Sequence, residues 1–346
     1  MEFQLSDKAK DYIARTKAFI QTEIEPIEAE FWQAAHKLNP TGDWTTWQWP
    51  AKLEELKIKA RTQNLWNMFL PDEQLGQGLS VQEYAHIAEL SGRSLIAPHV
   101  FNCNAPDSGN MELIWRYGND AQKQQWLTPL LAGENRSVFG MTEPAVASSD
   151  ATNMQATAIV EGDEIVLNGR KWWSSGLGDP NAKLIIFMAH TPDESKDRHH
   201  QHTMVLVPID AKGVKIERML KVFNDYDAPH GHGEMRFDNV RVPLSNVIGG
   251  AGEGFAIAQG RLGPGRIHHC MRCIGAAEKS LELAIDRGLS RSAFGKPLLD
   301  LGGNRERIAD ARVKIDQARL LTLYAAYKMD KLGTKAALTE ISAIKV

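Results

Sequence analysis

The sequence predicts an α+β chain of three parts: a helical N-terminal domain, an antiparallel β-barrel middle domain and a helical-bundle C-terminal domain. Three observations predict it. Residues 6 to about 135 carry apolar side chains at helical spacing, short runs rich in Val, Ile, Phe and Trp follow, and the helical period returns from Gly254. No helix-length segment lies between the short runs, which argues for an antiparallel barrel or sandwich and against a parallel sheet. The boundaries fall at residues 1–135, 136–245 and 246–346.

In the first part, Tyr12, Ile13, Thr16, Phe19 and Ile20 line one face of a helix. Pro50 opens a second helix bearing Leu53, Leu56 and Ala60. Ser80 and Glu83 have the spacing of a capping box, with Leu79 placed to staple onto Tyr84. Gly118 closes another helix, and Asp120 can cap the next, which runs to Gly133. Strands are expected over 156–160, 164–174, 183–189, 203–209, 214–219 and 234–242, with turn signals such as Glu161-Gly162-Asp163 and Asn168-Gly169 separating or interrupting them. Thr191 to His202 reads as a solvated hairpin tip. In the last part, Ile267, Cys270, Ile274, Ala277, Leu281 and Ile285 form one stripe, and Ile308, Ala311, Ile315, Ala318, Thr322, Ala325 and Met329 a second. Both stripes need partners, and a bundle supplies them. A third helix starts after Gly333 and is expected to be still running at Val346.

Composition narrows the class. A chain of 346 residues has room for two or three domains, and 43% hydrophobic with 24% charged residues is ordinary for a folded protein. A net charge of -3 gives no reason to expect nucleic acid or an acidic membrane as the main partner. Three cysteines make a disulfide framework improbable and suit a reducing compartment. Met1-Glu2-Phe3 opens no secretion signal, and no run of 18 apolar residues exists. The expectation is a cytoplasmic protein, or one in an organelle matrix with any targeting segment removed.

Three stretches carry chemistry. Phe139-Gly140-Met141-Thr142-Glu143-Pro144, followed by Ser148 and Ser149, falls where the helical region meets the first strand, although Thr-Glu-Pro also simply ends many elements. Lys171-Trp172-Trp173-Ser174-Ser175-Gly176 lies at a strand end. Side chains alternate along a strand, so one Trp is expected to face the core and the other to offer a flat aromatic face. Arg291-Ser292-Ala293-Phe294-Gly295-Lys296 lies between the long helices and, taken alone, is a surface loop with a Gly turn.

Together, in this order and context, the three stretches resemble the acyl-CoA dehydrogenase family over essentially the whole chain. Trp-Trp-Ser-Ser-Gly with Gly-Pro-Gly-Arg-Ile-His-His-Cys is further similar to the branch fused to kinase-like domains in higher organisms, which has free-standing bacterial relatives. The resemblance implies an FAD-dependent oxidoreductase of fatty acid metabolism that removes hydrogens from an acyl-CoA and passes electrons to an electron-transfer flavoprotein. It implies that Phe139, Met141, Thr142, Ser148, Trp173, Ser174 and Ser175 surround FAD. In that scheme the backbone at Met141 and Thr142, with the Thr142 hydroxyl, meets the pyrimidine end. Trp173 packs on the ring, Ser175 lies near N5 in place of the family's common Thr, and Ser148 reaches the pyrophosphate. Arg291 and Phe294 would clasp the FAD of a neighbouring subunit, implying a homodimer or homotetramer. Gly263, Gly265 and Arg266, with Ser148, match the substrate side.

Some members of the family carry the catalytic Glu at the position of Gly265, where glycine cannot abstract a proton. Most place the carboxylate on a later segment, so the base is expected beyond Val346 and the chain by itself is expected to dehydrogenate poorly. A flavin monooxygenase or oxidase on the same fold and a non-catalytic relative remain alternatives. Other signals are weaker. Cys270 and Cys273 read as core thiols, since three cysteines cannot make a four-thiolate zinc site. His199, His200 and His202, and His230 and His232, are expected in polar loops without metal. Of His268 and His269, either could line a pocket or sit in the core. Gly249, Gly250, Gly252 and Gly254 lack the G-x-G-x-x-G spacing and the preceding strand of a Rossmann site.

Overall fold

A computed structural model describes residues 4–346, so the reading of Met1, Glu2 and Phe3 lies outside the described residues. Two compact units form: one from residues 29–55 and 104–262, the other from the residues up to Glu28, 56–103 and 263–346.

The first unit is built on a seven-stranded sheet in its described residues. Its strands are β1 (Arg136–Gly140), β2 (Thr157–Glu161), β3 (Glu164–Ser175), β4 (Ala182–His190), β5 (His202–Pro208), β6 (Val214–Met219) and β7 (His232–Pro243). The order is β1-β4-β2-β3-β7-β6, with β5 against β4. Most pairs are antiparallel, as the lack of helix-length segments between the strands predicts. β1 is an addition to the expected set, and it runs parallel to β4. The chain reaches β4 only after the β2–β3 hairpin, a crossover long enough to permit parallel pairing. Val138, Ile165, Leu167, Ile185, Phe187, Val205, Val207 and Phe237 fill the inner face, where the Phe187 and Phe237 rings lie 4.1 Å apart. Asn168-Gly169, which reads as a turn signal, instead marks a bulge within a continuous β3: Gly169 has φ +143, and a Cβ there would meet Ala156 at 2.4 Å. The expected hairpin tip lies between β4 and β5 and is largely exposed, but His202, read as part of it, is buried as the first residue of β5.

The second unit is helical. Ser6 caps Asp7–Phe19, its hydroxyl accepting the Ala9 N–H at 3.1 Å. The Ser80–Glu83 capping box forms as expected at the start of Val81–Ser91, and the Asp330 carboxylate also accepts the Val81 and Gln82 N–H groups. Both placements put an anion at a helix N-terminus, where its orphan donors gather. Gly92 and Gly275 allow two backbones to touch: a Cβ on either would fall about 2 Å from a backbone oxygen, Arg272 O for Gly92 and Glu89 O for Gly275. The long helices are Gly254–Ser290, whose first residues belong to the other unit, and Asn304–Leu332.

Two helix ends differ from expectation. In the sheet-bearing unit, Asn119 rather than Asp120 caps the next helix, because its side chain reaches the Gln122 N–H and Gln122 returns the bond. The third C-terminal helix spans only Leu338–Ala343. Four turn residues precede it, and after Ala343 the bonding tightens from i→i+4 to i→i+3, which ends the regular helix.

Candidate active site

The end of β1 and the end of β3 meet at one place. The Trp172 N–H donates to Thr142 O at 3.0 Å, and the Thr142 hydroxyl donates to Trp172 O at 2.6 Å. The first two chemistry-bearing stretches are thereby joined. Beneath them, the buried Lys171 ammonium donates to Met141 O at 3.0 Å and to Glu143 Oε1 at 2.7 Å. The Glu143 carboxylate also accepts the Gln155 and Ala156 N–H groups at 2.8 and 3.0 Å. Burial pushes Lys171 down to about 8, against the pull of Glu143. Ser148 folds back on the same segment, its hydroxyl accepting the Glu143 N–H at 2.8 Å.

The strand alternation expected for the two tryptophans is broken. The β3–β7 register shifts between Lys171 and Ser174, and Trp173 sits at φ +52. The bulge puts Lys171 and Ser174 inside while Trp172 is half-buried and Trp173 is 43% exposed, so neither Trp enters the core. The buried Ser174 hydroxyl has no hydrogen-bond partner. Ser175 pairs across the sheet with His232, and its hydroxyl lies 2.9 Å from His232 Nδ1. His232 Nε2 lies 3.3 Å from Asp227 Oδ2. Asp227 is half exposed; partial burial opposes its ionisation, but the His232 hydrogen bond and the nearby His230 and His232 rings hold its carboxyl below the ordinary range.

Phe139 is covered from the opposite end of this unit's sequence. The Arg261 guanidinium lies 3.9 Å from the Phe139 ring centroid and donates through Nε to Asn110 Oδ1 at 3.0 Å. Burial lowers Arg261 to about 10 despite Glu112 and Asp107.

In the helical unit, the third stretch is a tight hairpin of β8 (Ser292–Ala293) and β9 (Lys296–Pro297). Phe294 stands at its tip with φ +53 and is 94% exposed, and Arg291 is exposed beside it. Gly263, Gly265 and Arg266 lie within the helix Gly254–Ser290. A Cβ on Gly263 would meet Thr334 at 2.5 Å, whereas nothing lies within 4 Å of one on Gly265. His268 is the core histidine, 4.7 Å edge-on to Tyr84 and lowered to about 3 by burial and by Arg272, while His269 is exposed. The cysteines depart from expectation: Cys270, at the edge of the packed stripe, is half-buried, and Cys273, one residue off the stripe position of Ile274, is exposed.

Sequence reasoning missed Asp227, Asn110 and Arg261, gave Lys171 no role of its own, and weighed His232 only as a metal ligand in a loop. Its placement as the first residue of β7 opposite Ser175 depends on cross-strand register, which the sequence signals only as a strand start two residues later. Among the described residues, no group of three or more His, Cys, Asp or Glu is placed to hold a metal ion, and no helix is long and apolar enough to cross a membrane.

Three family models match in sequence order: "Acyl-CoA dehydrogenase, N-terminal domain" over 6–134, the middle domain over 138–240 and the C-terminal domain over 252–346. A Mycobacterium tuberculosis protein named as the acyl-CoA dehydrogenase FadE2 is 49% identical, covering 100% of this chain and 83% of its own length. Mouse acyl-CoA dehydrogenase family member 10 is 48% identical over 99% of this chain, which spans only 32% of it. Among solved structures, a Mycobacterium abscessus protein described as an acyl-CoA dehydrogenase is 56% identical, with TM-score 0.95, covering 99% of this chain and 84% of the other. The FAD complex of PigA, 21% identical with TM-score 0.80, covers 100% and 84% and shares the fold.

Proposed function

The chain belongs to the acyl-CoA dehydrogenase family, an oxidoreductase family, and from that premise we propose that it binds FAD and removes hydrogens from Cα and Cβ of an acyl-CoA thioester, its electrons leaving to an electron-transfer flavoprotein. The observation that carries this reading is the joining of Met141-Thr142 to a bulge that turns the Trp173 ring outward beside the Ser175 hydroxyl. The residues fit the cofactor. Trp173 offers an uncovered aromatic face, Ser174 keeps a buried hydroxyl without a partner, and Met141 and Thr142 are held by hydrogen bonds to Lys171 and Trp172.

FAD, when bound, accepts a hydride from Cβ. This chain's residues hold and orient. Met141, Thr142 and Ser148 would hold the flavin side, with Phe139 backed by Arg261. Donors at the pyrimidine end stabilise negative charge developing there. Arg291 suits a pyrophosphate because its fork bonds two oxygens. Its exposure, and that of Phe294, suits contact with a second copy, as do Leu283, Leu289, Val313, Leu320 and Leu332, all exposed on the long helices. Gly265 leaves space on the substrate side. Glu143 is not the group that takes the α-proton: it is buried and accepts three donors.

The purified protein tests this directly. Acid release and chromatography should yield FAD, and anaerobic mixing with an acyl-CoA panel should bleach the flavin with at least one member. Release of FMN, or of no flavin, overturns the cofactor. Fast reoxidation by oxygen with product bound would make the protein an oxidase.

A further inference from the structure

We propose that His232 and Asp227 are positioning residues that fix the direction of the Ser175 hydroxyl, so that its oxygen faces the flavin as a hydrogen-bond acceptor. The inference rests on the reading that Ser175 faces the flavin N5.

The three side chains form a line. Ser175 and His232 are register partners on β3 and β7, so sheet pairing itself sets the 2.9 Å contact between Oγ and Nδ1. Asp227 approaches the far side of the ring, 3.3 Å from Nε2. Its own backbone is fixed: Asp227 N–H donates to Asp225 Oδ1 at 2.8 Å, Gly231 N–H donates to Asp227 O at 2.9 Å, and φ is +55. Asp tolerates that left-handed conformation better than most residues.

Hydrogen-bond logic then runs outward. A carboxylate only accepts, so a ring that carries a single proton holds it on Nε2 toward Asp227, and Nδ1 is then left as an acceptor. The Ser175 O–H is drawn to Nδ1. Lone pairs are what its oxygen presents on the remaining sides. Flavin N5 carries a hydrogen only when reduced and is a bare acceptor when oxidised. The line from Asp227 through His232 to Ser175 therefore favours the reduced cofactor. A lone serine, free to rotate, would serve both forms alike. Asp–His pairs set a tautomer in the same manner where a hydroxyl must be aimed.

The test is the two-electron midpoint potential of the flavin-loaded protein, measured by anaerobic equilibration with redox dyes. One hydrogen bond of typical net worth changes an equilibrium by about threefold to tenfold. His232→Ala should shift the oxidised-to-reduced equilibrium up to about tenfold toward the oxidised form, a fall of ~30 mV. Asp227→Asn, which leaves the ring in place, should shift it the same way and covers the case in which His232→Ala fails to fold. In a Ser175→Ala background, neither change should have further effect. If Ser175→Ala moves the potential while both His232→Ala and Asp227→Asn leave it unchanged or raise it, the proposal is overturned and the placement of Ser175 stands. If Ser175→Ala leaves both potential and flavin content as they were, the placement of Ser175 itself fails, and the proposal with it.

Discussion

The Lys171 ammonium donates to the Glu143 carboxylate at 2.7 Å in a place where neither side chain meets solvent. The pair is more than an ion pair, because Lys171 also holds Met141 O and Glu143 also holds the amides of Gln155 and Ala156. Breaking a buried pair by removing one partner typically costs ~3–5 kcal/mol, since the other charge is left stranded. Glu143→Gln and Lys171→Met should each lower stability to urea by about that much and reduce bound flavin. Replacing both together should cost less than the sum of the two. An additive double variant would show that the residues act independently.

Trp173 holds a left-handed backbone with a large exposed side chain, a conformation that favours glycine. Such a non-glycine residue stores ~1–2 kcal/mol. Trp173→Gly should thus leave the flavin-free protein as stable as before or more so by up to ~1 kcal/mol, while flavin content falls. Loss of stability without loss of flavin would mean that Trp173 serves packing.

Gly265 is in a helix interior with open space around it. Gly265→Glu should fold and gain roughly 0.5–1 kcal/mol of helix propensity. If the substrate side lies there, the new carboxylate should also quicken flavin bleaching by acyl-CoA relative to the unaltered chain, since general-base catalysis is typically worth 10²–10⁴-fold. Stopped-flow absorbance reads both chains under the same conditions.

Arg291 is exposed in the protein taken alone. If it clasps a cofactor pyrophosphate across a subunit contact, Arg291→Ala should weaken FAD binding by about 2–5 kcal/mol with the sheet still folded. Titration of flavin-free protein with FAD measures this, and unchanged affinity would make Arg291 an ordinary surface residue.

His268 is held to about 3, below the ordinary histidine value of 6.5, chiefly by burial and then by Arg272. The folded state therefore refuses a proton that the unfolded chain accepts between those values. The stability this contributes is complete above pH 6.5 and is lost as pH falls toward 3. His268→Leu should flatten that fall, so the stability difference between the two proteins should shift in favour of the variant from pH 7 to pH 4, read by urea midpoints.

The helices with long apolar stripes, the Ser80–Glu83 box, six strands and the place of the first two site stretches were legible, because period, caps and turn residues are local properties. The three-part fold followed from the change of period along the chain, and the family from the order of the three site stretches. What the tertiary structure alone decided was which way side chains face. Alternation places Trp172 and Trp173 on opposite sides, but a bulge set by pairing with β7 turns both away from the core and sends Lys171 and Ser174 inside. Glu143 reads as the end of an element and proves to be the acceptor for Lys171 and two amides. His232 reads as a loop histidine and stands opposite Ser175. The Trp and His232 placements depend on register between β3 and β7, strands far apart in the chain, and that of Glu143 on the folding of the segment after β1 against Lys171 of β3. A shift of one residue in that register exchanges the faces, and the energy that forbids it comes from burial and hydrogen bonds that exist only once the sheet has formed.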